Sequence, residues 1–208
     1  MLSAARPHPK GQQVMSVILL TAIMLSVSIG AYAWGRGMLE TSMERRDYER
    51  MERFMLDINE NIKEVARRGG RKEMSIDLPQ EAEFRVTDTE EGQLDNITLT
   101  FDTTIRTMAQ DTDIVIVGSP GTESPVTESP ETIIARSERI GDGYNVNFKL
   151  YYRNTTIDGE AVRRIEIDTP NNQGIAQRGG QIDLLIERGP SYVMEDGFTV
   201  NKIKIRII

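Results

Sequence analysis

The stretch VMSVILLTAIMLSVSIGAYAW, residues 14–34, runs for 21 residues without a charge. As an α-helix rising about 1.5 Å per residue it reaches roughly 30 Å, the thickness of a bilayer's hydrocarbon core. The tail before it carries only Arg6 and Lys10 as charges, with the single histidine, His8, between them. Basic residues beside a span stay on the cytoplasmic side, so the pattern predicts one membrane pass with the N-terminus inside and the remainder outside. Arg36, Arg45 and Arg46 follow the span, but Glu40, Glu44 and Asp47 are interleaved with them and nearly cancel their charge. Ala31-Tyr32-Ala33 also offers the small-residue pattern of a signal-peptide cleavage site, although the apolar run exceeds the usual core of about 7–15 residues. An uncleaved signal anchor and a domain released at Trp34 therefore stand beside each other at this stage.

Downstream, residues 36–68 contain no proline, and their one glycine, Gly37, comes at the start. Met, Leu, Glu, Arg and Lys dominate, all good helix formers. Apolar side chains recur at Tyr48, Met51, Met55, Ile58, Ile62 and Val65, a 3-4-3-4-3 spacing that puts them on one face. Phe54 widens that stripe. Such a stripe either packs on the chain's own domain or meets a partner helix, and the spacing admits both. Arg67-Arg68-Gly69-Gly70-Arg71-Lys72 then ends the helix, with cations at the negative end of its dipole and glycines to turn the chain. Residues 14 to about 66 thus read as one helix of roughly 80 Å.

Beyond Lys72 the helical period gives way to short runs rich in β-branched and aromatic residues between turn signals. Strands are expected near 75–78, 83–87, 97–102, 113–117, 132–139, 144–152, 163–168, 181–187, 192–194 and 199–208. Alternation is clean in Val146-Asn147-Phe148-Lys149-Leu150 and Ile203-Lys204-Ile205-Arg206-Ile207, the mark of strands that bury one face. Residues 119–131, SPGTESPVTESPE, repeat TESP and hold three prolines, and they read as an exposed loop. The polar stretch 170–180 reads the same way. The fold class is therefore α+β overall: a long N-terminal helix, membrane-spanning then amphipathic, followed by an all-β, antiparallel, sandwich-like head.

Composition removes much chemistry. With no cysteine there are no disulfides, thiolate metal sites or cysteine nucleophile, and one histidine at position 8 leaves none for a triad or a zinc site in the head. Residues 1–73 carry 12 Lys+Arg against 9 Asp+Glu, whereas residues 74–208 carry 13 against 23. A head this acidic opposes nucleic acid, which needs a positive field along its phosphates. The acidic run 88–95 fails the calcium-loop pattern, since a glycine stands at the third ligand position and no Glu closes the loop. Asp111 with Asp113, and Glu195 with Asp196, are read as solvated turns. Arg178-Gly179-Gly180 lacks the lysine and helix context of a phosphate loop. No enzyme activity, cofactor or metal is expected. Asn96-Ile97-Thr98 and Asn154-Thr155-Thr156 are acceptor patterns for N-glycosylation, of use if the head is extracellular.

Lys10-Gly11 followed by Gln12, with the apolar run opening at Val14, resembles the processing site of archaeal type IV pilin-like proteins. The resemblance covers about the first 65 residues by motif and the rest by architecture. It implies cleavage by a prepilin peptidase between Gly11 and Gln12, leaving residues 1–11 as a cytoplasmic leader. Residues 12–35 would then be a transmembrane and assembly helix, 36–72 its amphipathic extension, and 73–208 an extracytoplasmic β-sandwich domain. Two features depart from the bacterial relatives: Ser16 stands where an acidic residue is common, and a C-terminal cysteine pair is missing. The implied function is a major or minor structural subunit of a pilus-type filament, with the membrane and other pilin-like subunits as partners. Ala22, Ser26 and Gly30, spaced by four, allow close helix–helix approach, and the striped positions 48–65 would extend that interface. The alternative is a permanently anchored surface module, binding or stator-like, that is neither cleaved nor assembled.

Overall fold

The computed structural model describes residues 9–87, 95–118, 131–152, 155–157, 160–170, 174–193 and 199–208. One helix, α1 (Pro9–Arg68), precedes nine strands: β1 (Arg71–Thr87), β2 (Asn96–Thr103), β3 (Ile114–Val117), β4 (Glu131–Ile140), β5 (Gly143–Tyr152), β6 (Thr155–Ile157), β7 (Glu160–Asp168), β8 (Ile175–Val193) and β9 (Thr199–Ile207). Two compact units divide the chain, Met1–Met43 and Glu44–Ile208. The α+β class, a long helix and then a β-rich head, is the one the periodicities predict.

Within Glu44–Ile208 the strands follow the order β3-β4-β5-β2-β1-β8-β9-β7-β6. Among these named strands each pairing is antiparallel except β7 with β9, which is parallel over Arg164–Asp168 and Val200–Lys204. Alternation decides the inner face: Ile97, Leu99 and Phe101 of β2, and Val146, Phe148 and Leu150 of β5, are buried while their neighbours are not. Against that face lies the helical stripe, with Met51, Met55, Ile58 and Ile62 each fully buried and Val65 1% exposed. Phe54 also meets Phe84 edge-on at 6.0 Å, and Tyr48 meets Phe148 at 5.5 Å. The head's core is thus a helix laid on a sheet. The late strands curl back toward β2, where the Asp95 carboxylate accepts a bond from the Ile167 amide at 3.0 Å.

Several boundaries differ from the sequence expectation, and backbone chemistry explains each. The helix stops at Arg68, where Gly69 and Gly70 take positive φ of 74° and 87° and Gly69 N–H donates to the Val65 carbonyl at 2.8 Å. Arg71 and Lys72, grouped with the helix extension by their charge, already belong to β1. The runs 75–78 and 83–87 are one strand, because residues between Leu78 and Glu83 bulge out rather than break the pairing with β8. Opposite that bulge sit Gly179 and Gly180 at φ 58° and 76°, and a Cβ on Gly179 would come within 3.0 Å of the Gln80 carbonyl oxygen. Residues 175–180, expected as loop, are therefore strand, with glycines placed where the ladder must kink. A second bulge, at Gly189-Pro190, joins 181–187 and 192–193 into the single β8, and Met194 lies outside the described residues. Glu131, read as the end of the proline-rich loop, is instead the first residue of β4 and 2% exposed.

Truncating Ile58 to alanine leaves a cavity between helix and sheet and should destabilise the head by about 2–5 kcal/mol. The same kind of truncation at Leu19, 64% exposed, should leave the head's unfolding unchanged. Chemical denaturation of the full chain in detergent, followed by near-UV circular dichroism, checks both. An equal effect of the two substitutions would contradict the packing described.

Candidate functional site

In the Met1–Met43 unit, α1 displays apolar side chains all round. From Val14 to Met43 its large hydrophobic residues are between 54% (Ile23) and 75% (Met15) exposed. This helix is long and apolar enough to cross a membrane. Two of its hydroxyls are satisfied within the helix: Thr21 Oγ1 donates to the Val17 carbonyl at 2.9 Å and Ser26 Oγ to that of Ala22 at 2.8 Å. Such back-bonding removes the penalty a free hydroxyl would incur in hydrocarbon. Tyr32 and Trp34 lie at the far end of the apolar run, 72% and 74% exposed, positions typical of the membrane–water boundary. The first charges beyond are paired, Arg36 with Glu40 at 2.7 Å.

Ala22, Ser26 and Gly30 share one face of this segment. A Cβ on Gly30 would meet nothing within 4 Å, and the same holds at Gly35 and Gly37. The chain's own packing does not require glycine at any of the three. Lys10, Gly11 and Gln12 fall in the opening turns of α1, just behind Pro9, where proline's missing N–H costs nothing.

The striped positions have a different fate. Tyr48 packs partly against the core, and Met51, Met55, Ile58, Ile62 and Val65 are buried by the chain's own sheet. The buried face is also wider than the spacing suggested, since Phe54, Asn59 and Ala66 are buried as well. A broad face of this kind suits a helix on a sheet, whereas a two-helix seam needs only the narrow stripe.

Three polar attachments fix helix to sheet inside the head, and none was visible from residue type alone. At the first residue of this unit, the Glu44 carboxylate accepts four hydrogen bonds: from Thr103 Oγ1 at 2.7 Å, Thr104 N at 2.8 Å, Thr104 Oγ1 at 2.5 Å and Ile105 N at 3.0 Å. Burial pushes this carboxyl up, but the Thr104 and Thr103 hydroxyls and the two amides outweigh it and hold it below its ordinary 4.5. Next, Tyr152 donates to Asn59 Oδ1 at 2.9 Å in the interior. Burial, with the charges of Glu131 and Glu60 behind it, drives that phenol well above 10. Lys63 Nζ then bridges Glu131 at 2.7 Å and Glu60 at 3.0 Å. Burial lowers the Lys63 ammonium, yet its bonds to these two carboxylates raise it overall. The available signals were faint: an acid abutting the apolar run Thr132-Ile133-Ile134, and Asn59 and Lys63 a turn apart beside the stripe.

Of the glycosylation acceptors, Asn96 is the first residue of β2, half-buried and paired with Thr87 and Tyr151 across the ladder. Asn154 lies outside the described residues, as do 88–94, most of the TESP-repeat loop, and Glu195 and Asp196. Among the described residues no group of three or more His, Cys, Asp or Glu is placed to hold a metal ion. No family model matches the chain, and neither a curated protein nor a solved structure matches it.

Because the folded-state Glu44 sits below its unfolded value, its stabilisation is present above about pH 4.5 and is lost as pH falls through the depressed folded value. Tyr48 acts at the other extreme. Burial, with the Glu52 charge, raises it from 10 to about 12, so its contribution is full below pH 10 and is lost as pH climbs through 12. Glu44→Gln should lower the head's melting temperature by about 2–4 °C at neutral pH and flatten the acid limb of its stability curve. Thermal melts of both proteins across the acid range check this, and coincident acid limbs would contradict it.

Proposed function

We propose that this chain is a pilin-like structural subunit, held in a membrane by residues 12–35 of α1 and carrying its β head outside the cell. The observation that carries this reading is the change of surface along a single helix. Residues 51–66 are a built-in core element of the head, whereas the large apolar side chains of 14–34 stand exposed among the described residues. Surface of that kind must be covered by lipid or by other copies. Gly30, set in open space beside Ala22 and Ser26, supports close approach of a neighbouring helix. The Lys10-Gly11-Gln12 sequence supports release from the membrane into a filament: cutting after Gly11 on the cytoplasmic side removes the charged tail and leaves the apolar segment intact. Glycine also makes that turn of helix cheap to unwind, by about 1 kcal/mol relative to alanine.

One observation favours the anchored alternative. Tyr32 and Trp34, exposed at the outer end of the apolar run, suit a helix that stays in lipid with its aromatic rings at the headgroups. The two readings part at Gly11. Under the filament reading Gly11→Val blocks cleavage and incorporation into surface filaments while membrane insertion persists. An immunoblot of membrane and sheared-filament fractions from the native host reads this out. Unchanged processing of the variant would count against assembly and for the anchored module.

A further inference from the structure

On β5 the side chains of Asn145, Asn147 and Lys149 alternate with the buried Val146, Phe148 and Leu150, so they stand on the sheet face turned away from the helical stripe. Their cross-strand partners on β4 share that face: Asn145 lies opposite Glu138, Asn147 opposite Arg136 and Lys149 opposite Ile134. Asp113, the residue before β3, joins them through Arg136, whose Nη1 stands 3.5 Å from its Oδ1. Between them these side chains line one cavity of about 200 Å³.

The hydrogen bonds already made leave a particular set unmade. Asn145 Nδ2 donates to Asp102 Oδ1 at 2.7 Å, and Asn147 Nδ2 donates to Thr100 Oγ1 at 3.0 Å, both toward β2. Among the described residues neither asparagine Oδ1 accepts a bond. Lys149 Nζ lies 6.0 Å from the centre of the Tyr151 ring and has no carboxylate partner among the described residues. Arg136 bonds one oxygen of Glu138 at 2.9 Å and faces one of Asp113, which leaves each carboxylate its second oxygen. The open capacity is therefore mixed, with donors on Lys149 and acceptors on both asparagines and both carboxylates. Charge on the wall balances, Arg136 and Lys149 against Asp113 and Glu138, although residues 74–208 as a whole carry 13 cations against 23 acids.

We propose that this cavity binds a single neutral sugar ring. Each hydroxyl of such a ring both donates and accepts, so it answers a wall on which the two roles stand side by side. An anion would meet Asp113 and Glu138, and a cation would meet Arg136 and Lys149. The half-buried Ile134 gives the ring's C–H face an apolar seat. At about 200 Å³ the cavity falls below the roughly 300–1,000 Å³ of pockets for drug-sized ligands, which fits one ring with the rest of any glycan in solvent. The site lies wholly on the head and stands independently of cleavage at Gly11 or assembly.

The test is titration of the isotope-labelled full chain, in micelles of a detergent without a sugar headgroup, with the methyl glycosides of glucose, galactose, mannose and N-acetylglucosamine. At least one should shift the Asn145 and Asn147 side-chain amide signals saturably, with Kd on the order of 1 mM, and leave the Gln181 side-chain amide in place. Lys149→Met keeps the length of the side chain and removes its donors, and it should weaken that binding about tenfold. Asn147→Ala should weaken it in the same direction, and thermal melts that match the parent show that both variants stay folded. Shifts that remain linear for every glycoside overturn the proposal, as do equal shifts with glycerol and binding that both variants leave intact. Saturable binding of glycine but of no glycoside also overturns it, by assigning the cavity to a zwitterion.

Discussion

Burying the stripe from Met51 to Val65 is the interaction on which the head depends. With no cysteine in the chain, no covalent staple is available, and order must come from removing apolar surface from water. Each fully buried Ile or Met contributes roughly 1.5–3 kcal/mol, and the stripe supplies four of them to the inner face of one sheet. Without α1 that face would stand open. The sheet's alternating pattern, with polar residues out and Ile97, Leu99, Phe148 and Leu150 in, has meaning only because a helix covers one side.

The polar attachments add direction to what the hydrophobic effect leaves loose. Apolar contacts tolerate a slide of one turn, but Glu44 is bound to the hydroxyls and amides of 103–105, and Lys63, which also bonds Glu60 on its own helix, reaches the buried Glu131 on the sheet. Spaced along the helix with Tyr152–Asn59 between them, they fix its register on the sheet. The apolar half has the opposite design. Thr21 and Ser26 turn their hydroxyls onto carbonyls of their own helix, and the exposed surface is made mostly of apolar side chains.

Much of this was legible because period and burial are linked by simple geometry. The 21 uncharged residues, the 3-4 stripe and the alternating strands each announced an element, and each is present. What misled the reading were glycines and prolines inside strands. Gly179-Gly180 and Gly189-Pro190 look like breaks in a linear string, yet they are places where a long strand kinks against a bulge. Only the partner strand distinguishes the two, and a sequence does not display its pairing. Glu131 was misplaced for a related reason: its ion-pair partner, Lys63, lies 68 residues earlier. The stripe's spacing was read correctly, while its width, which separates a sheet partner from a helix partner, emerged from Asn59 and Ala66.

The central claim is that the apolar half of α1 is delivered to a membrane and then serves assembly, which requires the leader to be removed and the helix kept whole. The most direct measurement is the intact mass of the mature chain extracted from membranes of its native host. A chain beginning at Gln12 is the result predicted. An intact Met1 would contradict it in favour of a permanent anchor, and a start at Trp34 would contradict it by leaving a released head with no apolar helix at all.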